Sequence, residues 1–234
     1  MVFYLSFYAK GFLIIAKFSL IYVMISHRHR CIFVHIPRTA GTSIETLIWT
    51  PEEMTAENLF MGFTDKYNNK YQTGGLQHLL ASQIRKEVGE EVYDSFYKFA
   101  IVRNPWERAV SQYFFMKRNK YLRGFIGMNI WTPFQKYLSL ISEKEHIQWK
   151  DQFSFVVDNE EKIMVDAIFR FEDLNNCANE LGKRLKMPTF KLPVANSTNH
   201  SHYSKYYDLK TYEQVSKMYR KDIELFGYSF ERHD

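Results

Sequence analysis

Two short apolar runs constrain the fold most: Cys31–Ile36 (CIFVHI) and Phe99–Val102 (FAIV). Neither shows the alternation of a half-exposed strand, so both read as strands covered on two faces, as in a parallel sheet. Pro37 bounds the first run. Thr42 and Ser43 then offer helix-capping hydroxyls, and Ile44, Leu47 and Ile48 recur at helical spacing up to Pro51. After the second run, Pro105 sits where a first helical turn tolerates it. Val165–Phe171 is a third strand candidate, followed by an amphipathic helix from Leu174 to Leu185. Leu80, Ile84 and Val88 mark another helix, stopped by Gly89. A last helix is expected from Leu209 to Phe226, with Tyr212, Val215, Tyr219 and Phe226 inward. Strands alternating with helices predict an α/β fold with a mostly parallel central sheet flanked by helices. Ligands of such sheets bind beyond the carboxyl ends of the strands.

The 234 residues suffice for one such domain, and 46% hydrophobic content excludes a disordered or fibrous chain. A net charge of +5 suits an anionic ligand without requiring one. The two cysteines, Cys31 and Cys177, make neither a disulfide framework nor a zinc set. No spacing of His, Cys or acidic residues supports a metal site. Residues 1–25 form an apolar extension interrupted by Lys10 and Lys17, and the domain is expected over 26–234. The extension reads as a membrane anchor beside the basic cluster His27–Arg30, or as a dispensable leader with Met24 as the start. A cytoplasmic and a membrane-associated location both stay open.

Chemistry concentrates at the two strand ends. After the first run comes Arg38-Thr39-Ala40-Gly41-Thr42-Ser43. A helix N-terminus there directs unpaired amides at a ligand, Gly41 lets a phosphate approach the backbone, and the hydroxyls add donors. A nucleoside-triphosphatase loop would carry lysine where Thr42 stands, and an opening glycine. The second run ends in Arg103, with Ser111 eight residues on in the next helix. Arginine grips phosphate with two parallel donors, and the serine adds a hydroxyl.

Together the two segments resemble the 5′-phosphosulfate loop and the 3′-phosphate site of sulfotransferases that use 3′-phosphoadenosine 5′-phosphosulfate (PAPS). The likeness is closest to the carbohydrate sulfotransferase-like group (sulfotransferase family 2), with loops of the form H-I-P-K-T-A-G-T-S. It extends through Phe169–Leu174, His202–Asp208 and Asp222–Tyr228, over about residues 26–231. The resemblance implies a P-loop-like three-layer fold and sulfuryl transfer from PAPS, without a metal, to an acceptor hydroxyl, with an anionic glycan as a candidate acceptor. It places the 5′-phosphosulfate on Arg38, Thr39, Ala40, Gly41, Thr42 and Ser43, and the 3′-phosphate on Arg103 and Ser111. The family pattern has lysine where Arg38 stands; arginine keeps the charge but cannot release a proton.

His78 follows a polar stretch and precedes the helix of Leu80 and Ile84. A histidine beside a helix N-terminus tends to stay neutral and can accept a proton. By itself it reads equally as a capping or solvated residue; its placement resembles the histidine proposed as base in heparan-type members. His202 is the competing base, and His35 a weaker one on a buried strand. Two other functions remain to be weighed. A nucleoside-triphosphate kinase lacks its loop lysine here. A non-enzymatic polyanion or nucleic-acid binder would rely on Lys117, Arg118, Lys120 and Arg123, a short run without a recognition motif. No nucleic-acid partner is therefore expected.

Overall fold

The computed structural model describes residues 8–9, 12–13, 24–50, 75–187 and 201–232. Most of the apolar extension and the polar stretch 51–74 lie outside the described residues. Among those described, no helix is long and apolar enough to cross a membrane.

The chain is an α/β domain around a four-stranded sheet. Strands β1 (Ile25–Ser26), β2 (Cys31–Val34), β3 (Tyr97–Val102) and β4 (Ala167–Arg170) lie side by side in chain order. β1 runs antiparallel to β2, and the other pairs are parallel. Every residue of β2 is buried, and so is β3 from Lys98 onward, which matches their unbroken apolar runs. Phe33 and Phe99 stack across the β2–β3 pair with ring centroids 5.1 Å apart. Met24 and Ile25, just ahead of the expected domain boundary, already belong to the core.

Helix α1 (Gly41–Ile48) follows β2, and α2 (Ala81–Val88) and α3 (Glu90–Ser95) lead into β3. Gly89 joins α2 and α3 at φ 85°, a left-handed conformation that favours glycine. Helix α4 (Pro105–Arg118) leaves β3, its N-terminus capped by the Asn104 side chain and opened by Pro105. Residues 118–155 form α5 (Lys120–Ile126), α6 (Phe134–Ser142) and the short α7 (Phe153–Val156). Each contributes only two to four buried positions, too few to print a pattern on the sequence. Helix α8 (Leu174–Arg184) follows β4. The expected last helix is two: α9 (Leu209–Met218) and α10 (Arg220–Phe226), which part at Tyr219. The Tyr219 hydroxyl donates to the Trp149 carbonyl at 3.0 Å, so a tertiary contact sits at the break.

Candidate active site

The loop after β2 takes an unusual path. Arg38 and Ala40 both adopt φ 71°, sparsely populated by residues with a Cβ. The bends are held by one bond within the loop and one from outside it: Thr39 Oγ1 donates to the Ile36 carbonyl at 2.9 Å, and Arg108 Nε to the Pro37 carbonyl at 3.0 Å. Ala40 occupies the N-cap of α1 without a side-chain cap. Thr42 and Ser43, expected to cap the helix, therefore lie inside its first turn, Thr42 exposed and Ser43 buried.

Gly41 has a reason the sequence did not reveal. A Cβ there would lie 1.6 Å from His35 Nε2, so the imidazole already fills that space. The glycine admits a histidine ring. Gly41→Ala is expected to destabilise the protein by about 1–3 kcal/mol through overpacking, measurable by urea unfolding. Wild-type stability in the variant would show that the ring moves aside freely.

The two strand ends meet. Arg103 Nη1 donates to the Arg38 carbonyl at 3.3 Å, while Arg38 Nε and Nη2 lie 3.2 and 3.1 Å from Ser111 Oγ. The Arg103 guanidinium rests 3.9 Å above the centre of the Phe171 ring and pairs with Glu107 at 2.7 Å. Its Nε has no partner among the described residues. Burial lowers the Arg38 pKa to about 10, helped by repulsion from Arg103, Arg118 and Arg108. Arg38 stays cationic at neutral pH, and an anion would relieve the crowding of like charge.

His78 lies on a short 3-10 turn, Gly75–His78, ahead of α2 rather than at that helix's first residue. Its Nδ1 is 3.0 Å from the His35 carbonyl. A carbonyl only accepts, so Nδ1 carries the hydrogen and Nε2 keeps a bare lone pair. Burial first, then the positive field of His35, holds the His78 pKa well below its ordinary 6.5. His35, Arg38, Thr42, Gln77, His78 and Gln148 share the wall of a cavity of about 330 Å³. A larger cavity of about 740 Å³ is lined by Lys205, Tyr212 and Phe230 and shares no wall residue with the first. His202 belongs to neither wall. Its Nδ1 lies 2.9 Å from Ser204 Oγ at the head of a turn whose Tyr206 packs on Phe114 of α4.

Several residues that shape the site escaped the sequence reading. Gln152 is fully buried; its amide accepts from Arg103 N and donates to Arg103 O, both at 2.8 Å. Asp222, also fully buried, accepts from Gln152 N at 3.0 Å and from Phe153 N at 2.7 Å. Glu172 accepts from Asn104 N at 2.6 Å and from the Tyr228 hydroxyl at 3.0 Å. Arg170 Nη2 donates to the Phe226 carbonyl. The segments around Arg170 and Asp222 thus brace the end of β3 from behind.

The sequence matches the sulfotransferase family model over residues 22–229. This chain belongs to the sulfotransferase family. Its four-stranded, mostly parallel sheet is consistent with the P-loop-like fold expected of that family. Membership supports a sulfotransferase activity, with a sulfate donor and a hydroxyl acceptor. Comparisons with curated proteins and with solved structures found no match.

Proposed function

We propose that this sulfotransferase moves a sulfuryl group from PAPS to the hydroxyl of a carbohydrate or glycan. The observation that carries the reading is the meeting of two cationic strand ends, with Arg103 on the Arg38 carbonyl and Arg38 on Ser111. The loop amides of α1 and Arg38 take the 5′-phosphosulfate, and Arg103 takes the 3′-phosphate. The acceptor oxygen attacks sulfur in line, the bond from sulfur to the 5′-phosphate oxygen breaks, and His78 Nε2 receives the hydroxyl proton. Arg38 and the amides stabilise charge on the departing phosphate.

Calorimetry tests the donor site. Adenosine 3′,5′-bisphosphate is expected to bind without any metal. Arg103→Ala is expected to weaken it by roughly 1.5–3 kcal/mol, the worth of a charged contact. Adenosine 5′-phosphosulfate, which lacks the 3′-phosphate, should be much less affected. Equal losses for both ligands would remove Arg103 from the 3′-phosphate. Ser111 is the poorer probe, because its hydroxyl also holds Arg38.

A further inference from the structure

The cavity of about 330 Å³ that holds Arg38 and His78 has a buried side and an exposed one. His78 is buried and Arg38 partly so, whereas Tyr121 on the same wall keeps 61% of its surface exposed. Tyr121 is the second residue of α5, and the chain fixes it there locally. The Asn119 side chain caps α5 by accepting from Leu122 N at 3.0 Å, and Asn119 and Leu122 both line the cavity. The first turn of α5 is thus held against the cavity with Tyr121 in its middle. Phe115, on the same wall, is already covered by the Arg38 guanidinium, 4.9 Å from its ring centre. Among the described residues, neither the ring nor the hydroxyl of Tyr121 has a partner. A single exposed aromatic ring is ordinary. This one shares a wall with the proposed base and the donor loop.

Neither Arg103 nor Ser111 lines this cavity, so the 3′-phosphate end of the donor lies elsewhere and the exposed side is left to the acceptor. The reacting hydroxyl must come within reach of His78 Nε2 and of the sulfur, on the buried side. A cavity of about 330 Å³ is at the small end of ligand pockets. It takes the sulfuryl group and the sugar unit being modified, and the next unit of a glycan lies over the rim. There it meets Tyr121. A tyrosine has a flat apolar body and a polar tip, and a sugar ring has a C–H face and hydroxyl edges. The amides of Asn119 and Gln148 on the same wall suit hydroxyls as well, and no carboxylate lines the cavity among the described residues.

We infer that Tyr121 determines acceptor specificity: its ring stacks on the sugar unit next to the one that receives the sulfuryl group. The enzyme therefore selects an oligosaccharide over the matching monosaccharide. The inference rests on the carbohydrate reading of the acceptor. Tyr121 takes no part in proton transfer, which stays with His78.

Transfer kinetics with labelled PAPS decide it, on glucose, galactose and N-acetylglucosamine and on the β-linked tetrasaccharide of each. Wild-type protein should show the lower KM for the tetrasaccharide of whichever sugar it accepts. Tyr121→Ala is expected to raise that KM about 3–10-fold, the worth of one aromatic contact, and to leave kcat and the monosaccharide KM within about twofold. Tyr121→Phe keeps the ring and should behave like wild type, which a role for the hydroxyl would not allow. The affinity for adenosine 3′,5′-bisphosphate, read by calorimetry, should stay the same in both variants. Equal losses on monosaccharide and tetrasaccharide, a weakened nucleotide, or a wild type that does not distinguish the two chain lengths would each overturn the inference. If wild-type protein binds the bisphosphate yet transfers to none of these sugars, the carbohydrate reading falls and this inference with it.

Discussion

Replacing His78 with alanine is expected to cut turnover by about 10²–10⁴-fold while leaving the affinity for adenosine 3′,5′-bisphosphate nearly unchanged. A hydroxyl is a poor nucleophile until its proton begins to leave, so a positioned base is worth that much. Three features of His78 prepare it for this role. Its Nδ1–H is committed to the His35 carbonyl at 3.0 Å, which leaves Nε2 as the accepting nitrogen. Burial keeps it unprotonated, with a pKa well below 6.5. It also lines the same cavity as Arg38 and Thr42. The depressed pKa makes a resting imidazole available throughout the neutral range, and any acid limb of turnover from His78 should lie below pH 6.5. The direction follows from the base being active only when neutral. Single-turnover transfer of labelled sulfuryl groups at saturating donor, across a panel of glycan hydroxyls, measures the effect. Near-normal turnover in His78→Ala would pass the role to His202, which lines neither of the two cavities described.

Asp222→Ala is expected to destabilise the fold by about 3 kcal/mol and to weaken the donor site with it. The carboxylate accepts three buried donors: Gln152 N, Gln152 Nε2 and Phe153 N. Leaving a buried donor unsatisfied costs about 1–3 kcal/mol. Burial of the charge outweighs the attraction of Arg108 and the hydrogen bonds from these same backbone donors, and raises the Asp222 pKa from 3.8 to about 6. The raised pKa has a sign that can be checked. Its contribution to stability is full below about pH 4 and is lost as pH rises through about 6, because the unfolded carboxyl gives up its proton more readily. Urea unfolding of wild type and variant across pH 4–7 should show the gap between them narrowing upward through that window. Asp222→Asn offers no rescue, since its amide nitrogen would face N–H donors. The damage should reach the nucleotide, because Gln152 carries the backbone of Arg103 on both its N–H and its carbonyl. An unchanged midpoint in Asp222→Ala would show that the donors find other partners.

The sequence by itself determined the α/β class and the placement of the two strand-end motifs. Continuous apolar runs such as Cys31–Val34 can only be satisfied inside a covered sheet, and Asn104-Pro105 state the start of α4 in local chemistry. Such signals are written in neighbouring residues, where backbone preference and burial act together. Tertiary structure decided what no local pattern carries. The left-handed path at Arg38 and Ala40 is held by Thr39 and by the distant Arg108, so the helix begins at Gly41 without help from Thr42 or Ser43. Gly41 is small because a histidine six residues earlier lies across it. Glu172 and Asp222 stood out only as parts of segments that resemble a family pattern, yet their carboxylates reach amides 68 to 70 residues away. A buried carboxylate must find donors wherever the fold brings them, and three-dimensional proximity, unlike helical spacing, leaves no period in the chain.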